Sequence, residues 1–318
     1  MRPDPFILAL ITTVVIASFF PCQGEVATFF SALTNVAIML LFFLHGVRLA
    51  REAIIAGIGH WRLHLTILCC TFLLYPLAGF AVSKLMPGIL PPQLWAGLIF
   101  LCLLPSTVQS SIAFTSVARG NVPGAICAAA ASNVFGILLT PLLVGVFLSA
   151  HAVISLAQLW KIIEQLLIPF VLGHLLRPWF IGFAQRHKFL LTLTDRGSIL
   201  LVVYTAFSAA VVEGLWHTLP PVTLGTLLAV EIVLFVSIVG LVIYVARRLK
   251  FSRADEIAIV MCGSKKSLAT GVPMANVLFA GALIGPVVLP VMIYHQMQLM
   301  AAAWLAGRYA KRAEQLDQ

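Results

Sequence analysis

Apolar runs of about twenty residues recur along nearly the whole chain, separated by short stretches rich in Arg, Lys, Pro and Gly. About 20 apolar residues cross the hydrocarbon layer as a helix, whereas alternating strands of about ten residues mark an outer-membrane barrel. The sequence carries the first pattern. A segment in lipid must also satisfy its own backbone, so the fold class predicted is an all-α polytopic membrane protein. The runs resolve into ten spans, at 5–21, 27–47, 64–83, 93–117, 123–149, 157–180, 197–213, 222–246, 257–280 and 284–306. The first is read as a retained helix, because Pro21-Cys22-Gln23-Gly24 makes a poor small-residue cleavage site.

The basic residues test this division independently. Arg48, Arg51 and Arg62 follow the second span, Arg119 the fourth, and Arg177, Arg186, Lys188 and Arg196 the sixth. Arg247, Arg248, Lys250 and Arg253 follow the eighth, Arg308, Lys311 and Arg312 the tenth, and Arg2 precedes the first. The opposite side has Lys84 and Lys161. One span more or fewer would scramble this asymmetry, and the positive-inside rule then puts both termini on the cytoplasmic side of the membrane. Ten spans divide into two five-helix halves of inverted orientation, about 1–150 and 151–310, within a single transmembrane domain 1–318 that ends in a short cytoplasmic tail, 309–318.

Composition agrees: 61% of residues are hydrophobic and 10% charged, against roughly 25% charged in a soluble domain. The net charge of +9 is the topology signal itself and needs no nucleic-acid partner to explain it. Of the six cysteines, all but Cys22 lie in apolar stretches without metal-type spacing, as small buried hydrophobes do.

Polar residues at membrane depth are costly and usually face a cavity or a partner. They concentrate in two places. In the fourth span Pro105 removes a backbone donor, and Ser106, Thr107, Gln109, Ser110 and Ser111 follow within seven residues. In the ninth span Gly263 opens the cluster Ser264-Lys265-Lys266-Ser267. Pro105 alone is a tolerated kink, and a Ser/Thr-rich face alone is a helix-packing surface. Two lysines inside an apolar span are harder to explain that way. Paired Gly- or Pro-interrupted spans at corresponding places in two halves mark a transporter's binding site. These residues, with Thr71 and Asn133, form the expected substrate or ion site, and Pro105 and Gly263 the helix breaks. Glu231, deep in the eighth span, is the expected counter-ion of Lys266 or Lys265. His45, Asn35, Thr140, His174, Asn276, His295, Gln296 and Gln298 read as packing hydrogen bonds, and Lys161 with Glu164 as an interfacial ion pair.

On these residues the chain resembles the bile acid:sodium symporter superfamily, in particular its SBF-like branch. The resemblance covers nearly the whole chain. It rests on Leu41–Leu49 with His45, Gly46 and Arg48, on Leu104–Ser111, on Ala118-Arg119-Gly120-Asn121 and on Cys262–Leu268. It implies two inverted five-helix repeats, with the fourth and ninth helices unwound and crossing in a core domain. A panel domain of the first, second, sixth and seventh helices would move against that core. It also implies organic-anion or amphipathic substrates and uptake driven by sodium. The chain departs from the pattern where sodium-coupled members carry an acidic residue and a Gln-Asn pair. Val260, Ser264 and Lys265 stand at those positions, and Thr71 stands where the third helix supplies another amide. A sodium site that has lost its carboxylate and gained cations makes sodium coupling doubtful. In this reading a lysine ammonium takes the ion's place and attracts an anionic substrate, and Lys265 can exchange a proton.

The expected function is therefore secondary active transport of a small organic anion or amphipathic solute by alternating access, with a proton as the candidate coupling ion. The alternatives are a channel, or a regulator of ion or envelope homeostasis that transports nothing. No paired catalytic carboxylates, nucleophile elbow or phosphate loop point to an enzyme. No cofactor or metal is expected. Which of Lys265 and Lys266 faces the cavity stays open at this stage, because adjacent residues on an intact helix point about 100° apart.

Overall fold

A computed structural model of the protein describes residues 5–49, 59–148, 160, 163–279 and 281–314. Among these, all regular structure is helical. In chain order the helices longer than one turn are α1 (Pro5–Phe19), α2 (Gly24–Arg48), α3 (Trp61–Leu85), α4 (Pro92–Leu103), α5 (Gln109–Val117), α6 (Val122–Phe147), α7 (Ile163–Leu175), α8 (Arg177–Arg186), α9 (Lys188–Val212), α10 (Pro221–Arg248), α11 (Arg253–Gly263), α12 (Leu268–Leu278) and α13 (Ile284–Glu314).

Among the described residues, six helices are long and apolar enough to cross a bilayer, or seven when the bent pair α7 and α8 counts as one. The other three expected spans fall short for visible reasons. Helix α1 has 15 residues, and the fourth and ninth spans are each divided into two short helices, α4 with α5 and α11 with α12.

Several boundaries differ from the sequence reading. The expected sixth span, 157–180, straightens what is a bend of 91° between α7 and α8. Pro178 has no N–H to give the carbonyl of His174, four residues back, and its ring crowds that turn. Lys161, and with it the expected pairing with Glu164, lies outside the described residues. Helix α9 begins at Lys188, nine residues before the expected start, and α13 runs on to Glu314 through the segment expected as a tail. Apolar runs report where lipid ends, whereas good helix formers such as Ala, Lys, Arg and Glu carry the helix past that point.

The chain's contacts divide it into two units. The first comprises Met1–Ala50, Ser149–Pro221 and Gly271–Leu289. Its helices α2 and α7 pack backbone to backbone through two glycines. A Cβ on Gly46 would run into the carbonyl of Phe170, and one on Gly173 into the carbonyl of Phe43. Such small-residue contacts hold membrane helices together where no hydrophobic effect can. Arg48 at the end of α2 pairs with Asp195 of α9 at 2.6 Å. Gly173→Ala is expected to destabilise by about 1–3 kcal/mol through forced separation of the two helices. Gly182→Ala on α8, where an added Cβ meets nothing within 4 Å, should be neutral or gain up to about 1 kcal/mol. Thermal melts of the two variants in detergent check this; equal melting temperatures would contradict it.

The second unit comprises Arg51–Leu148, Val222–Thr270 and Pro290–Gln318. Its innermost helices are buried on every side: Leu94–Leu103 of α4 and Glu256–Gly263 of α11. Helices α3, α6 and α10 instead present Leu73, Leu77, Leu138, Val146, Val233 and Val236 outward, a surface suited to lipid. Residues 118–121 make the reversal from α5 to α6. Arg119 takes a left-handed φ of 59°, and the Gly120 N–H returns to Thr115 O at 2.8 Å, closing α5 in the manner of a Schellman cap. Asn121 caps α6 by accepting from the Gly124 N–H at 2.8 Å, and its amide donates to Asp255 at 2.7 Å, in the first turn of α11. Nearby, Glu256 accepts a bidentate pair from Arg247 at 3.0 and 3.1 Å and a hydroxyl from Tyr309 at 2.9 Å.

Candidate functional site: two helix breaks stitched around buried lysines

The two interruptions in the second unit lie between Leu103 and Gln109 and between Gly263 and Leu268. An interrupted helix leaves N–H and C=O groups without their usual partners, and at this depth each must find another. The breaks supply them to each other. The Ser267 N–H donates to Pro105 O at 2.9 Å. The Ser106 hydroxyl donates to Cys262 O at 2.5 Å, and that of Ser111 to Met261 O at 2.8 Å. Helix α6 seals the first break from one side. Ser132 accepts from the Ser106 N–H at 3.0 Å, Asn133 donates to Ser106 O at 2.9 Å, and Thr140 donates to Leu103 O at 2.8 Å. Asn133 also accepts from Thr270 at 2.8 Å, and Ser267 caps α12 by accepting from the Thr270 N–H at 3.2 Å.

Both lysines are 1% exposed, yet their surroundings differ. The Lys266 ammonium donates to three backbone carbonyls, Thr71 O, Cys102 O and Leu104 O, each at 2.8 Å. It also lies 4.2 Å from the centre of the Tyr75 ring. Every proton of the ammonium is thus spent on a carbonyl, in an arrangement like the oxygen shell of a metal ion. The acceptors are made available locally: Leu104 and Cys102 flank the first break, and Thr71 sits in a π turn, Cys70–Leu74, within α3. Pro76 helps to open that turn, since it cannot donate to Phe72 O four residues back. The Lys266 backbone is clamped by Gln298, which accepts from its N–H at 2.8 Å and donates to its carbonyl at 2.7 Å. The Lys265 ammonium makes one hydrogen bond, to Ser110 O in the first turn of α5, at 3.1 Å, and stands over the Phe114 ring at 4.2 Å.

The structure thus gathers Ser106, Thr107, Ser110, Ser111, Asn133, Ser264, Lys265, Lys266, Ser267 and Thr71 around the two breaks, with Pro105 inside the first and Gly263 at the edge of the second. Thr71 contributes its carbonyl, while its hydroxyl turns to Ile67 O at 2.8 Å. Gln109 is not part of the cluster; it begins α5 and points outward, exposed.

The expected ion pair of Glu231 with a lysine is not made. Glu231 is buried, and neither carboxylate oxygen has a hydrogen-bond partner. The lysines are held instead by carbonyls that the breaks and the π turn offer, groups that no side-chain inventory contains. The cage of carbonyls belongs to Lys266; Lys265, the lysine expected to exchange a proton, stands outside it with one bond to Ser110 O. Sequence reading missed the phenol pair as well: Tyr75 donates to Ser264 O at 2.6 Å, and its oxygen lies 2.6 Å from that of Tyr294. Of these residues, the visible signals were a Tyr beside the proline of the third span and a Gln deep in the tenth.

A family model described as the SBF-like CPA transporter family (DUF4137) matches residues 4–311. The chain is 55% identical to "Putative symporter YfeH" of Escherichia coli (strain K12), over 99% of this chain and 95% of that one. It is 26% identical to "Sodium/bile acid cotransporter 7-B" of Xenopus laevis, over 96% of this chain and 91% of that protein. It is likewise 26% identical to "Sodium/bile acid cotransporter 7" of Mus musculus, over 85% and 81%.

Proposed function

The chain belongs to the SBF-like CPA transporter family, and from that premise we propose that it is a secondary active carrier of a small organic anion in a bacterial inner membrane, with Lys265 as the charge that receives the anion. The observation that carries this reading is the contrast between the two ammonium groups. That of Lys266 is saturated by three carbonyls. That of Lys265, with one hydrogen bond, keeps donors to offer at the first turn of α5. A helix start has orphan N–H groups and positive dipole character, so it and the lysine suit the same carboxylate, sulfate or phosphate group.

In this reading the chain has ten spans in two inverted halves, with both termini cytoplasmic. The charge asymmetry of the loops and the matching places of the two breaks support it. With both lysines shut off from solvent, this reading takes the structure as a sealed state of the cycle. A sodium ion does not fit at the breaks: the converging carbonyls already bind the Lys266 ammonium, and Val260 stands where sodium-coupled members have a carboxylate.

Purified protein should be stabilised against heat by one or more members of an organic-anion panel, with no difference between sodium and potassium chloride. In proteoliposomes the stabilising anion should show saturable uptake that accelerates when the same anion is preloaded inside. Flux linear in concentration would instead indicate a channel. Protein that neither binds nor moves any anion tested would favour the regulator.

A further inference from the structure

We infer that Glu231 is a proton-binding site of the carrier, loaded in the sealed state; the inference rests on the transport reading above. Glu231 is the eleventh residue of α10, a helix of 28 residues. At 1.5 Å per residue it lies about 15 Å from the helix start and about 25 Å from its end, in the middle of a span. It is 0% exposed, and both side-chain oxygens lack a partner.

The surroundings decide what form the side chain takes. Among the described residues, the titratable groups placed beside it are Cys102 of α4 and Tyr294 of α13. Neither carries a positive charge. The Tyr294 hydroxyl is engaged with Tyr75. The Lys266 ammonium makes no hydrogen bond to Glu231, and all of its protons are committed to carbonyls. On α10 itself Arg247 and Arg248 stand at the far end. An ionised carboxylate here would be an uncompensated buried charge, which costs several kcal/mol; the neutral acid avoids that cost.

Stability does not account for the residue. Even the neutral acid leaves a polar group unsatisfied, at about 1–3 kcal/mol, and an aliphatic side chain would pack there without that penalty. A membrane-buried carboxyl that serves no structural pairing is the signature of a proton relay. Its connection to the substrate site is short. Tyr294 and Tyr75 link the neighbourhood of Glu231 to Ser264 O in the second break, one residue from Lys265. Rearrangement of that break on opening would change what faces the carboxyl, so that the proton bound in the sealed state leaves when water reaches it.

The test uses the full chain in lipid bilayers. Infrared spectra at neutral pH should contain a carboxylic-acid C=O band that shifts in D₂O, disappears in Glu231→Gln and moves in Glu231→Asp. The glutamine variant should melt at or above the parent temperature, since it removes no bond. Absence of the band from the parent, or its persistence in Glu231→Gln, overturns the site. With the stabilising anion in proteoliposomes, an inward acid pulse should raise parent uptake several-fold. In Glu231→Gln, exchange at equal pH should remain while the acid response is lost. An acid response that survives the substitution overturns the coupling role. If the band behaves as expected but the parent moves no anion of the panel, the site stands and the carrier reading fails.

Discussion

Replacing Lys266 with methionine is expected to cost the folded protein about 3 kcal/mol or more. The substitution nearly keeps the volume and removes the ammonium. Two large terms then oppose each other: the penalty for burying the charge is relieved, and three charge-assisted hydrogen bonds, each worth about 1.5–3 kcal/mol, are lost. What remains is three carbonyls, Thr71 O, Cys102 O and Leu104 O, in a place water does not reach, each at a cost of at least about 1 kcal/mol. A fall of about 4–5 °C or more in the melting temperature follows, from an unfolding entropy of about 2.1 cal/mol/K per residue over 318 residues. Lys266→Arg should not rescue it, because a planar fork cannot match three carbonyls arranged around a point. Lys266→Ala should recover part of the loss when methylammonium is added, as the small cation refills the cage. A Lys266→Met protein that melts within about one degree of the parent would show that the cage holds nothing together.

That cage also explains which parts of the molecule could be read from sequence. Spans were legible because bilayer thickness imposes a length on every apolar run. Their ends were not, since α9 and α13 continue past the apolar run on helix propensity and on contacts such as Arg48 with Asp195 and Tyr309 with Glu256. The places of the two breaks were legible too: Pro105 and Gly263 weaken the helix where polar side chains gather.

The partners inside the breaks could not be read. Sequence offers Glu231 as the acid nearest in kind to a buried lysine, whereas the lysine's partners are backbone carbonyls whose availability depends on a π turn in α3 and an opened turn after α4. A carbonyl has no letter of its own. Gln109 shows the same difficulty in reverse. It belongs to the polar cluster by position, but α5 has already begun there, and the turn of that helix carries the side chain outward. The four residues Ala118-Arg119-Gly120-Asn121 carried family information without a stated reason. The structure supplies one: a Cβ on Gly120 would meet the Ile257 side chain, and Asn121 ties α6 to α11.

The adjacent lysine should behave in the opposite way. Lys265→Gln is expected to leave the melting temperature within about two degrees of the parent, because a single bond to Ser110 O at 3.1 Å is lost and surrounding groups are otherwise satisfied. Transport should suffer far more. A charge-assisted contact to an anion is worth about 2–3 kcal/mol, so binding of the transported anion should weaken by roughly 30- to 150-fold. Lys265→Arg should keep part of the binding, since it retains the charge beside the first turn of α5, and Lys265→Glu should lose all of it. The pair of variants separates two roles that adjacency in the chain conceals. If Lys265→Gln unfolds the protein as Lys266→Met does, both ammonium groups are structural pins and the anion must bind elsewhere. If it binds and moves the anion as well as the parent, the free donors of Lys265 have no part in transport. Only a stable protein with a lost ligand assigns the charge to the cargo, and the contrast between three carbonyls and one is the physical reason to expect that result.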